Sequence, residues 1–406
     1  MSVLESPRAE RLRRWDKRLS RAAGGIHMLR TLSWGPEVAA HWHAHGNLPE
    51  IVHRSRDYSD KEQTLRTLMG ELDTQDPAGA FLHRTAASYA DLIQLLSVQG
   101  QGRFVDASIG LFGSPSDRIS EHAPTHLEAA QHFLAATDAL PIPDPVEEWD
   151  STRAQVWMQE RLTHLPRPLP VELSETISAK ATAGATRIRL RADAQFSDQS
   201  MRQLLEHEAK VHAYTKRNGA EQPVLSCMGL SCPRTTMDQE GLATFAELIT
   251  DTMDHRRLRR IALRVVAVAA ALEGASFSEV VDLFGDGGQA PLESFQSAAR
   301  IFRGGNGRDG AVFTKDIVYL AGALRVQAFF VQAFRAKRLE LPIRFFAGRW
   351  TLGDARDLEP CFKEGLLTEP QRVPEWASNP GSLAAHLAWA SFQGGVLLNC
   401  TSLSEL

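Results

Sequence analysis

The sequence predicts an α+β protein, with a helical N-terminal region and a mixed second part built around a small sheet. Three observations predict it. Up to about residue 165 the apolar residues recur three and four apart, the period of a helix with one buried face. Over residues 186–196 (TRIRLRADAQF) apolar and charged residues alternate, the period of a half-exposed strand. Two proline-rich breaks, residues 140–147 (LPIPDPVE) and 165–170 (LPRPLP), separate the two patterns. A boundary at Pro166–Pro170 divides the chain into 1–165 and 166–406.

The elements follow in order. Helices are expected over residues 9–23, 60–72, 85–98 and 124–136, with a further helix, 152–163, between the proline breaks. Residues 171–174 are extended and 177–183 helical, and the alternating strand comes next. It runs straight into a helix. Ser197 or Asp198 is the N-cap, and Phe196 is placed to act as a hydrophobic staple. Met201, Leu204, Leu205, Glu208 and Val211 keep helical spacing, and Asn218-Gly219 is a stop signal. Thr236 and Gln239 have the spacing of a capping box. They open a helix with Leu242, Phe245, Ala246 and Ile249 on one face. A buried helix over 261–272, a helix over 292–302, a glycine-rich loop over 303–310 and a long helix over 315–336 follow. Residues 341–406 are mixed, and no internal repeat is present.

Composition narrows the function. The chain has 406 residues, 43% hydrophobic and 23% charged, with a formal net charge of -4. These values are those of a globular protein, and they exclude a disordered chain and a multi-span membrane protein. A dedicated nucleic-acid binder would be more basic. The longest apolar run, 261–272, is shorter than the roughly 20 residues a membrane span needs and contains Arg264. No membrane partner is expected. The four cysteines, Cys227, Cys232, Cys361 and Cys400, form no disulfide framework. The arginine-rich start leads into no apolar segment of a secretory signal. A reducing, cytoplasmic location is expected.

The chemistry concentrates at His207-Glu208-Ala209-Lys210-Val211-His212. This is the zincin pattern H-E-x-x-H with one residue inserted. Two imidazoles hold Zn²⁺, and the adjacent carboxylate takes a proton from the water that the metal activates. Four residues turn an ideal helix by about 400°, which puts both histidines on one face; five turn it by about 500° and leave them roughly 140° apart. One metal therefore demands a distorted helix between His207 and His212, and a π-type turn supplies it. Glu240, in the next helix, is the candidate third ligand, leaving a fourth position open for water. The strand just ahead of the metal helix is expected to hold extended substrate at its edge.

The order of HEAKVH, the N-G after it, QEGLA, RGG, FTKD followed by VYL, and FFAGRW resembles the QEGLA-motif family. Its bacterial members are labelled flavohaemoglobin-expression-modulating proteins. Over the catalytic core the family is similar to the mammalian microtubule-associated tyrosine carboxypeptidase. The resemblance covers residues 165–375 well and the helical N-terminal part more loosely. It implies a mononuclear zinc peptidase with a zincin-like core. His207, His212 and Glu240 match the metal ligands, and Glu208 matches the general base. Lys210 stands where relatives carry a small residue, which bears on substrate identity.

A carboxypeptidase must also bind the terminal carboxylate of a peptide or protein. Arg303 and Lys315, in family-like motifs on either side of the glycine-rich loop, are candidates for that contact. Lys315 is expected behind the cap Thr314 at a helix N-terminus, with Tyr319 one turn on and placed to serve the oxyanion. The alternative function is a non-catalytic regulatory or scaffold protein that keeps the fold. Glu208 separates the two, because a structural metal has no need of it.

Other signals are weaker. Gly305-x-Gly307-x-x-Gly310 spells a dinucleotide fingerprint, but a helix precedes it where that motif needs a strand. His41, His43 and His45 lack an evident carboxylate or thiol partner, and Cys227 and Cys232 read as small buried hydrophobes.

Overall fold

Where the 3.6 period runs through residues 1–165, helices form: Pro7–Ala23, Ser59–Glu71, Pro77–Ser97, His126–Thr137 and Ser151–Thr163. The computed structural model describes residues 3–395 apart from 54–55, 139, 141–145, 147–148, 164–167, 176, 178–179 and 185, and of residues 393–395 the backbone alone. Most of the two proline-rich breaks, and Cys400, lie outside the described residues. Local chemistry sets the helix starts. Ser6 accepts from the Ala9 N–H, Asp76 from that of Ala78, and Thr125 with Glu128 forms a reciprocal capping box. Three further helices, Met28–Leu32, Pro36–His45 and Arg103–Phe112, fill the intervals. His41, His43 and His45 therefore sit on a helix. The His41 and His45 rings lie 4.4 Å apart, one turn from each other.

The sheet has three strands, β1 (Val171–Ser174), β2 (Ala181–Ala183) and β3 (Ile188–Arg191), in the order β1-β3-β2. β1 runs parallel to β3 and β2 antiparallel to it. Two expectations change here. Residues 181–183 are strand, because their backbone groups find partners on β3. The alternating segment 186–196 is strand only to Arg191. It then turns, and Phe196 exchanges two backbone hydrogen bonds with Trp149. β3, the strand nearest in sequence to the next helix, is thus central, and β1 and β2 are the two edges.

Ser197 caps the next helix in a reciprocal box with Ser200. The helix passes from α (Asp198–Leu204) to π (Leu205–Ala213) and back to α (Tyr214–Ala220). The expected distortion is present, over nine residues. The helix ends at Ala220, one residue past the expected Asn218-Gly219 stop. Gly219 is there for close approach: a Cβ on it would stand 2.3 Å from the Met228 carbonyl carbon. The Asn218 amide donates to the Phe346 and Arg372 carbonyls at 2.8 and 2.7 Å.

The helix Thr236–Ile249 crosses the helix Val318–Arg335 at paired glycines. A Cβ on Gly241 would meet the Gly322 carbonyl carbon at 2.3 Å. The expected Thr236/Gln239 capping box does not form. Thr236 Oγ1 turns back to the Cys232 carbonyl, and Gln239 accepts from Thr215. Thr314 is not a cap either; a 3-10 turn, Thr314–Ile317, leads into the long helix, and the Thr314 hydroxyl meets Ser108 at 3.1 Å. Thr314–Arg335 is long and apolar enough to cross a membrane by length and composition, yet over half of its apolar window is buried in the protein. Gly241→Ala is expected to lower stability by about 1–3 kcal/mol, because two backbones must part. Chemical denaturation checks this; a variant as stable as the parent would contradict the crossing.

Two apolar clusters lie under these elements. The larger joins the N-terminal helices to the long helix and the C-terminal segment, from Ala9 to Leu387. The smaller joins Ser151–Thr163, the sheet and the α–π–α helix. Val211 packs into the larger cluster, Ala209 and Ala213 into the smaller. The π segment is therefore held from two sides.

Candidate metal centre

The π segment decides where the imidazoles go. With five-residue hydrogen bonding, His212 falls beneath His207, and their ring centroids are 4.7 Å apart. Glu240 arrives from the helix Thr236–Ile249. Its Oε2 lies 3.6 Å from His207 Nε2 and 3.5 Å from His212 Nε2. One ligand atom from each of the three residues falls within 4.8 Å of the others. A tetrahedral zinc with bonds of about 2.0–2.1 Å separates its ligand atoms by roughly 3.3 Å. The donor types and spacings fit a divalent cation.

The electrostatics also ask for positive charge. Burial opposes a charge on His207, yet Glu240 and Glu247 hold it up to about 10. Burial keeps His212 below the usual histidine value. Burial opposes the charge on Glu240 too, but Lys315 and the two imidazoles hold its carboxyl well below the usual range. A cation placed between the rings would take over the charge these carboxylates attract.

Three residues that sequence reasoning missed fix the site from behind. Glu247 Oε1 lies 2.5 Å from His207 Nδ1, which leaves Nε2 to face Glu240. Glu247 is in turn bound by the Gln203 amide at 2.8 Å and by Arg257 through both Nε and Nη2. Glu247 follows Glu240 by seven residues, two helical turns, so its spacing was the available signal. Such outer contacts orient metal-binding histidines. Glu247→Gln puts an amide against Arg257 and is expected to weaken zinc binding about 10–100-fold. Competition with a chelator measures it, and an unchanged affinity would remove Glu247 from this role. His212 Nδ1 has no such partner among the described residues.

Glu208 projects from the π segment toward the sheet. Its Oε2 accepts from the Ala183 N–H of β2 at 2.9 Å, and its other oxygen has no partner among the described residues. The edge strand beside the candidate ligands is therefore β2. Lys210 pairs with Glu206 and Glu375 at 2.8 and 2.9 Å, away from the ligands. Lys315 is buried and donates to Glu240 Oε1 at 3.0 Å and to the Tyr319 hydroxyl at 3.4 Å. Arg300 donates to that hydroxyl at 3.3 Å. Arg303 meets no acceptor among the described residues. Arg349, in the FFAGRW stretch, was not singled out by the sequence. It donates to Ser231 and to the His212 carbonyl, and it feels the charges of Glu240 and Glu208.

Fold and site together define a mostly helical α+β protein with a candidate mononuclear metal centre and a carboxylate beside it. The family model described as microtubule-associated tyrosine carboxypeptidase matches residues 41–394, and the chain belongs to that family. No curated protein matches it.

Proposed function

We propose that the chain is a zinc-dependent carboxypeptidase with a zincin-like core, removing the C-terminal residue of a peptide or protein. The family's description names a carboxypeptidase, and the convergence of His207, His212 and Glu240 beside Glu208 carries the metal-dependent reading. His207, His212 and Glu240 would hold the ion. When bound, Zn²⁺ supplies Lewis acidity, which eases deprotonation of water and polarises a carbonyl.

The remaining work belongs to the chain's own groups. Ala183 N–H holds one oxygen of Glu208, so the free oxygen can accept a proton in a fixed direction. β2, the edge strand beside Glu208, can receive an extended peptide by strand addition. Lys315 binds the second oxygen of Glu240 and keeps that carboxylate turned toward the histidines. Lys315 and Arg300 both donate to the Tyr319 oxygen, which leaves the phenolic proton free to meet a developing oxyanion. The test is metal analysis of the purified protein with digestion of a C-terminal peptide library. One Zn²⁺ per chain and release of single C-terminal residues are expected; a protein that takes up no zinc and releases none would reject the proposal.

A further inference from the structure

The helix Pro36–His45 carries two of its three histidines one turn apart. His41 and His45 are four residues apart, which turns a regular α-helix by about 400° and leaves both on one face. Their ring centroids stand 4.4 Å apart. His207 and His212, five residues apart, reach a comparable 4.7 Å only through a π segment. Val38 is buried and Trp42 packs edge-on against Phe277 at 4.9 Å, which fixes the helix, while His41 is half-buried and His45 exposed. The helix ends at Gly46, whose left-handed φ of 68° turns the chain back and lays Asn47 against the last turn. Asn47 Oδ1 meets His41 Nε2 at 3.1 Å, and Asn47 Nδ2 donates to the His45 carbonyl at 3.4 Å. His43 is turned elsewhere, with its ring 5.8 Å from that of Phe295.

Two ligand atoms of one tetrahedral ion stand roughly 3.3 Å apart, and His41 Nε2 with Asn47 Oδ1 already has nearly that spacing. Two imidazoles and an amide oxygen are thus gathered at the C-terminal end of a helix, where the last carbonyl groups favour positive charge. We propose that His41, His45 and Asn47 form a second metal site, on the surface, for a late first-row divalent ion such as Zn²⁺ or Cu²⁺. The proposal depends neither on the candidate centre at His207 nor on the peptidase reading.

The donor set selects the ion. Imidazole nitrogens suit Zn²⁺, Ni²⁺ and Cu²⁺, with Cu²⁺ bound tightest, whereas Mg²⁺ and Ca²⁺ require a shell of oxygen atoms. A neutral imidazole carries one proton, and placing it on Nδ1 of His41 leaves the Nε2 lone pair, beside Asn47 Oδ1, free for the ion. The helix sets both rings before the ion arrives, so little freedom is lost on binding. No carboxylate joins them: Glu37, one turn earlier on the same face, folds over Gly35, where a Cβ would stand 2.2 Å from its Oε1. Neutral donors on an exposed face hold an ion less tightly than a buried His-His-Glu set and exchange it readily. Dialysed protein therefore keeps the expected count of one Zn²⁺.

The experiment titrates the dialysed full chain with further Zn²⁺ by calorimetry. The parent is expected to take up one more equivalent. His45→Ala should weaken that step roughly 10²-fold, because the remaining imidazole no longer acts in a chelate. Asn47→Ala should weaken it less, and His43→Ala should leave it unchanged. A register variant, Ala40→His with His41→Ala, keeps the number of histidines but spaces the pair by five residues, and Ala40 is exposed. It should bind as weakly as His45→Ala. Cu²⁺ added to the zinc-loaded chain should show nitrogen ligation by electron paramagnetic resonance, lost in His45→Ala. Melting temperature identifies a variant that has failed to fold, and His41→Ala then decides in place of His45→Ala. No additional equivalent in the parent would overturn the site. A register variant that binds as tightly as the parent would also overturn it, by showing that imidazole content alone suffices. These outcomes read the dependence on His41 and His45, so they stand whether or not the centre at His207 takes up zinc.

Discussion

Glu208→Gln is expected to keep its zinc and to lose peptidase activity by about 10²–10⁴-fold. The change is almost isosteric. The amide oxygen can still accept from the Ala183 N–H, so the π segment keeps its contact with β2. What disappears is the basic oxygen facing away from that bond. Neither metal ligand nor core contact is touched, because Glu208 is half-exposed and binds none of His207, His212 or Glu240. Metal analysis and turnover of a free-acid peptide, measured on the same preparation, decide it. Full activity with zinc retained would show that another group takes the proton, and the peptidase mechanism would have to be rebuilt around that group.

Glu240→Ala has the second large effect, because one carboxylate has two tasks. It faces both histidines through Oε2 and neutralises the buried Lys315 through Oε1. Truncation should abolish stoichiometric zinc and bring activity to background. It also strips a buried ammonium of its main partner, a change that costs about 3–5 kcal/mol. The stability loss should therefore persist after a chelator has removed the metal from both proteins. Glu240→Gln should lose zinc as well, with a smaller loss of stability, because its amide oxygen can still accept from Lys315. Denaturation of the chelated proteins separates the two tasks. If chelated Glu240→Ala were as stable as the chelated parent, the Lys315 contact would carry no weight.

Much of the candidate site could be read from spacing. The inserted residue between His207 and His212 is incompatible with an α-helix holding one ion, so the π segment followed from arithmetic on helical turns. Glu240 followed from its place in the next helix. Spacing was less informative where a side chain's partner lies far away in sequence. Thr236 with Gln239, and Thr314 ahead of Lys315, have the local form of caps. Their hydroxyl and amide groups instead bond to Cys232, Thr215 and Ser108. Asn218-Gly219 has the form of a stop and the helix ends one residue later, but spacing did not show that the asparagine anchors two distant carbonyls and that the glycine admits a neighbouring backbone.

The sequence by itself determined the helical N-terminal region, the strand and helix ahead of the ligands, the distortion between the histidines and the residue types able to hold a metal. These depend on period and on the short-range geometry of a turn, and both are written in neighbouring residues. The tertiary structure decided the rest. It put the edge strand β2 beside Glu208, set Glu247, Gln203 and Arg257 behind His207, and brought Lys315 against Glu240. The physical reason is that charge pairing and burial depend on which helices meet. Here the meeting is set by Gly241 and Gly322, whose missing side chains let two helices approach closely enough for Glu240 to reach Lys315.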